Sequence, residues 1–191
     1  MSLDTLIIIG LCVIALAFVI ALVAATRSSS RRRIRLMQRF GPEYERAIEE
    51  YGSEKLADQE LVTRARRVQK FHLRELSNET RVRHAVAWEN VQRRFVDDPE
   101  GAVHEADTLI KTVMRDRGYP IDDFDQRVAD LSVDHASVVQ HYRAARVLAQ
   151  SNREGLANTE ELRQAFVHYR ALFADLLGVV PPLNVYQEAR A

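Results

Sequence analysis

Histidine and carboxylate side chains come first, because they ligate metals and move protons near neutral pH. Six histidines occur, at positions 72, 84, 104, 135, 141 and 168. Two ligands on adjacent turns of one helix need a His-Glu-x-x-His pattern, and carboxylate bundles need Glu-x-x-His pairs. Neither pattern occurs. The nearest approach is His104-Glu105-Ala106-Asp107, which with His135 gives the enzyme alternative: a helix-bundle hydrolase or metal-binding enzyme using His104, Asp107 and His135. The acids Asp122, Asp123, Asp125, Asp130 and Asp134 lack the central glycine and closing glutamate of a calcium loop. Asp122 and Asp123 read instead as residues that open a helix and complement its positive end. Ser132, Asp134 and His135 are the residue types of a nucleophilic triad, but close neighbours at a helix start rarely meet in triad geometry. No phosphate-binding glycine loop or nucleophile elbow is present, and the single cysteine, Cys12, excludes an internal disulfide and a cysteine-based zinc cluster. The residues therefore assign no catalytic position, no cofactor and no metal ligand, and they weigh against an enzyme.

Overall charge is equally silent. Among 191 residues, 27 basic and 27 acidic side chains cancel, so no net charge directs the chain to nucleic acid or acidic substrates. The layout is uneven, however. Leu6 to Ala25 (LIIIGLCVIALAFVIALVAA) carries no charge, and as a helix rising about 1.5 Å per residue it matches the roughly 30 Å hydrocarbon core of a bilayer. Arg27, Arg31, Arg32, Arg33, Arg35 and Arg39 follow, giving +6 over residues 27–40 against −1 for residues 1–26 and −5 for residues 41–191. Basic flanks stay on the cytoplasmic side. The sequence thus predicts a single-pass protein of the bacterial inner membrane, amino terminus out and carboxyl-terminal domain in the cytoplasm. The six arginines would contact anionic headgroups of the bilayer, each contributing about 1 kcal/mol near the surface. Val23-Ala24-Ala25 also fits a cleavage site, which gives the alternative of a secreted helical domain. Against it, the leader Met1 to Asp4 holds an acid where a signal peptide holds bases. The arginines lack the aromatic interleaving of a nucleic-acid interface.

Beyond residue 40 the punctuation is helical. Ile34, Met37 and Phe40 suggest a short interfacial helix that Gly41-Pro42 ends. Pro42 then opens a helix to Tyr51; Ser53 caps one over 54–72; and Ser77 or Asn78 caps one to Val96 bearing Ala85, Trp88, Val91 and Phe95. Asp98-Pro99 pairs a cap with a first-turn proline, and Val103, Ala106, Ile110, Val113 and Met114 form the strongest stripe before Gly118. A short helix over 122–131 follows, then one capped by Asp134 or Ser137 and running to Ser151. A last helix starts with the box Asn158 to Glu161 and bears Leu162, Phe166, Tyr169, Phe173, Leu176 and Leu177. No segment alternates with period two. The fold class is all-α: one amino-terminal transmembrane helix, then a bundle of six to seven helices. The domains are 1–5 outside, 6–26 the span, 27–40 the basic segment, 41–177 the bundle and 178–191 a flexible tail. The sparsely striped stretch 42–72 is expected to project as a stalk or to pack on a second chain.

Two local features stand out. Gln140-His141-Tyr142-Arg143-Ala144 is echoed 27 residues later by Val167-His168-Tyr169-Arg170-Ala171. It reads as two helices that use tyrosine as an amphipathic anchor with solvated His and Arg beside it, rather than as a duplicated ligand site. Arg117-Gly118-Tyr119-Pro120 reads as a sharp interhelical corner, with a contact knuckle for a partner as its functional alternative.

The stretches RRRIRLMQRFGPEYERA, RRFVDDPEGAVHEAD, MRDRGYPIDDFDQRVADLSVDH and LRQAFVHYRALF resemble a family of uncharacterised bacterial membrane-anchored helical proteins. The resemblance spans about residues 31–177 and implies the architecture without implying a reaction, cofactor or catalytic residue. The functional expectation is a noncatalytic helical protein-interaction module held at the cytoplasmic face of the membrane. Its partners would be the bilayer and either an unknown protein or a second copy of the chain, with no nucleic acid.

Overall fold

The computed structural model describes residues 16–18 and 31–178. The chain divides into two compact units, residues 1–39 and 40–191. In the first, residues 16–18 and 31–39 are helical, with Leu16 and Phe18 exposed.

The second unit holds seven helices among the described residues: α1 (Pro42–Tyr51), α2 (Glu54–Val68), α3 (Asn78–Asp97), α4 (Pro99–Arg117), α5 (Phe124–Leu131), α6 (Val139–Arg153) and α7 (Thr159–Leu177). Side chains placed just ahead of the first turn start most of them, taking up backbone N–H groups that no turn above can satisfy. Ser53 accepts from Leu56 N, Ser77 from Thr80 N, Asp98 from Gly101 N and Asp123 from Gln126 N. Asn158 and Glu161 form a reciprocal capping box at 3.0 and 2.7 Å. Helix α6 departs from expectation. Neither Asp134 nor Ser137 caps it; the chain runs off α5 through turns at 132–134 and 136–138, and His135 O accepts from Val138 N and Val139 N. Helix α2 stops at Val68 rather than at 72, because residues 72–76 cross to α4, where Arg74 N donates to Arg117 O at 3.0 Å.

The main core lies between α3, α4, α6 and α7, with α4 on α3 and α7, and α6 on α7. Ile110, Met114, Tyr142, Tyr169 and Leu172 have no exposed surface there. Trp88 stacks on Phe173 and Phe166 at centroid distances of 4.6 and 5.1 Å, so the chain's single indole joins α3 to α7. The hairpin α1–α2 closes on its own small cluster of Tyr44, Ala47, Ala57 and Leu61, and Tyr44 donates to Asp58 at 2.9 Å. It does not project as a stalk. Its α2 packs on α5, Arg67 Nε reaches Asp130 at 3.1 Å, and Glu43 is gripped by Arg143 of α6.

The all-α bundle is as the periodicity implies; the membrane anchor is corrected. Among the described residues no helix is long and apolar enough to cross a membrane. The expected span, 6–26, lies outside the described residues except for Leu16, Ala17 and Phe18. The single-pass architecture, the bilayer as partner and the inner-membrane location with a defined sidedness rested on that span, and they are withdrawn with it. The cleavage site of the secreted alternative, after Ala25, also lies outside the described residues. The expected tail from 179 onward lies outside them too. At 31–40 the helix is present, with Ile34 and Met37 exposed and Phe40 fully buried.

Candidate functional site

The carboxyl end of α4 is cross-braced from several elements. Gly118 ends the helix at φ 93°, where the next backbone amides turn back onto Arg115 O and Met114 O. A Cβ at this glycine would stand 2.6 Å from His72 O, so the close crossing of residues 72–76 also requires it. Around the corner, His84 Nε2 meets Asp116 Oδ2 at 2.9 Å, Arg74 Nε donates to Asp116 O at 2.7 Å, and Arg117 Nη1 donates to Leu176 O at 2.9 Å. Tyr119 follows, buried edge-on against the His135 ring with centroids 6.1 Å apart. His135 Nδ1 is held by Asp175 of α7. Burial, reinforced by the negative charge of Asp134, pushes the Tyr119 phenol up to about 12. Three buried atoms here have no hydrogen-bond partner: Arg117 Nε, Tyr119 Oη and His135 Nε2.

The trio His104, Asp107 and His135 is not a site. His104 is exposed. Asp107 is buried and already accepts from Tyr169 Oη at 3.0 Å and Lys111 Nζ at 2.5 Å. His135 faces Asp175 instead. Among the described residues no group of three or more His, Cys, Asp or Glu side chains could hold a metal, so the metal-enzyme reading falls. Ser132 donates to Ala129 O at 2.7 Å, which occupies the only hydroxyl of the sequence's would-be triad.

The His-Tyr-Arg-Ala echo has a geometric meaning that the sequence disclosed only in part. Both tyrosines are anchors with no exposed surface: Tyr142 accepts from Arg127 Nε at 3.1 Å and Tyr169 donates to Asp107. The histidines are not solvated neighbours, however. His141 Nδ1 and His168 Nδ1 meet at 2.8 Å across the α6–α7 seam, half-buried. Burial lowers the pKa of both, and His141 lowers that of His168 further. The offset of 27 was the available signal; pairing positions of like phase on two packed antiparallel helices would have exposed it.

A charged groove of about 500 Å³ opens where α1, α2, α5 and α6 converge, lined by Arg46, Glu49, Glu50, Arg64, Asp125, Val128, Ala129 and Arg143. Two of its arginines are spoken for. Arg64 Nε donates to Glu60 at 2.9 Å and its Nη2 to Tyr51 Oη, while Arg143 is paired with Glu43 at 2.8 Å through Nη2. Glu49, Glu50 and Asp125 are exposed at the rim. Against them stands only Arg46, which is exposed on the same helix turn as Glu49 and Glu50. Of the six arginines expected at a membrane surface, Arg27 lies outside the described residues; Arg31, Arg32, Arg35 and Arg39 are exposed and Arg33 is half-buried.

No protein-family model matches the chain, and no curated protein and no solved structure matches it either. The resemblance to a family of membrane-anchored bacterial proteins is therefore withdrawn. What remains defined is the class of architecture: an all-α bundle with a docked helical hairpin.

Proposed function

We propose that this chain is a helical binding module and that the groove between α1, α2, α5 and α6 takes a basic segment of a protein partner. One observation carries the reading. Arg64 and Arg143 in the groove already have carboxylates of their own, whereas Glu49, Glu50 and Asp125 at its rim outnumber Arg46, the one remaining cation among the described residues that line it. A Lys or Arg side chain entering there gains charge-assisted hydrogen bonds without displacing an existing pair. The volume falls in the range of about 300–1,000 Å³ usual for ligand clefts, but the lining is polar, which suits a side chain or short charged segment better than an apolar small molecule.

The test is titration of the full chain with an arginine-rich peptide and with a glutamate-rich peptide of equal length. Only the arginine-rich peptide should bind, more weakly as salt is raised. The variant Glu49→Lys/Glu50→Lys should weaken it about tenfold or more, while Glu89→Lys/Asp97→Lys, an equal charge change on exposed positions of α3, should not. Equal affinities for the two variants would discard the groove as the docking place.

A further inference from the structure

The corner after α4 gathers donors and an acceptor that do not satisfy one another. Arg117 Nε, Tyr119 Oη and His135 Nε2 are buried and lack a hydrogen-bond partner, although the Tyr119 and His135 rings lie edge to face, 6.1 Å apart. Arg117 is close enough for its charge to act on the Tyr119 phenol. Buried polar groups are almost always satisfied, so three orphans around one corner mark a place where something else completes the set.

Protonation states define what that is. Asp175 sits against His135 Nδ1, and with the ring's one proton on Nδ1, Nε2 presents a lone pair. The phenol is held in its protonated form, and the guanidinium Nε–H only donates. The site therefore offers two donors and one acceptor. We infer that Arg117, Tyr119 and His135 hold one internal water, which accepts from the Tyr119 hydroxyl and the Arg117 Nε–H and donates to His135 Nε2. Three hydrogen bonds is the ordinary complement of a buried water. An anion would set its charge against the Nε2 lone pair and Asp175, and a cation would face Arg117. A neutral molecule that both donates and accepts is the species that fits. Held there, it ties the exit of α4 to the turn before α6 and, through Asp175, to the last turn of α7.

The experiment is protein–water cross-relaxation on the labelled full chain, read with the nitrogen shifts of His135. A long-lived water gives cross-peaks to the His135 and Tyr119 ring protons with opposite signs in laboratory-frame and rotating-frame spectra, and His135 Nε2 shows the shift of an unprotonated acceptor. Hydroxyl exchange at Tyr119 would mimic this, so Tyr119→Phe is measured too; the cross-peak to His135 should survive, because Arg117 still anchors the water. Absence of the cross-peaks from the folded chain, a protonated Nε2, or loss of the His135 peak in Tyr119→Phe would each overturn the proposal.

Discussion

Arg143 on α6 holds Glu43 on α1 with both terminal guanidinium nitrogens, across 100 residues of sequence. The Glu43 side chain is 1% exposed and that of Arg143 is 20% exposed, so the carboxylate is the buried partner. A charge taken out of water and then deprived of its partner is strongly destabilising. Arg143→Met should cost about 3–5 kcal/mol in denaturant unfolding, and the double variant Glu43→Gln/Arg143→Met should recover a large part of that. If the double variant were as unstable as the single one, the pair would not be what seats α1.

The histidine pair sets a pH dependence with a definite sign. Both imidazoles titrate below their ordinary value of 6.5, from burial in each case and, for His168, also from His141. A base whose folded pKa is depressed binds protons better when unfolded. The stability it leaves intact well above 6.5 is then lost as pH falls through that value. Denaturation midpoints measured from about pH 8 to about pH 5.5 should fall on acidification, and the slope should flatten in His141→Asn/His168→Asn. An unchanged slope in that variant would show that other groups carry the effect.

Gly118 is constrained twice, by a left-handed backbone and by the carbonyl of His72. Gly118→Ala should therefore cost about 1–3 kcal/mol for the backbone alone, with the 2.6 Å approach to His72 O adding to it. By contrast Gly52→Ala, at φ 73° with nothing near its Cβ, should show only the backbone part. Thermal melts of the two variants give the comparison directly; equal losses would mean that the crossing of residues 72–76 yields freely.

Asn158 caps α7 reciprocally with Glu161. Asn158→Ala should lower stability by about 1 kcal/mol, and Asn158→Asp should keep most of it, because a carboxylate accepts the same N–H and complements the positive helix end. Chemical denaturation of both variants decides it.

How legible this was depended on sequence distance. Asp98-Pro99, Gly118, Ser53 and the Asn158–Glu161 box act within one turn, and the helix ends they imply are where the chain places them. The end of α2 is not legible locally, because Phe71 and His72 continue its spacing while the pull on residues 72–76 comes from α4, some forty residues away. The start of α6 carries no such signal, because backbone turns, not a side chain, carry the chain through 132–138. His135–Asp175, Glu43–Arg143 and His141–His168 join residues 27 to 100 positions apart, and no local periodicity encodes such partners. The groove has no local signature for the same reason, since four helices supply its lining and each contributes only one to three residues.

Because Trp88 is the chain's one indole and is sandwiched between Phe166 and Phe173, its fluorescence is an optical gauge of a single joint. Emission reports whether α3 remains seated on α7 and stays blind to α1 and α2, whose own cluster contains no tryptophan. Departure of the hairpin would pass unseen in that channel while ellipticity declined, so a gap between the two curves would reveal that the hairpin melts on its own.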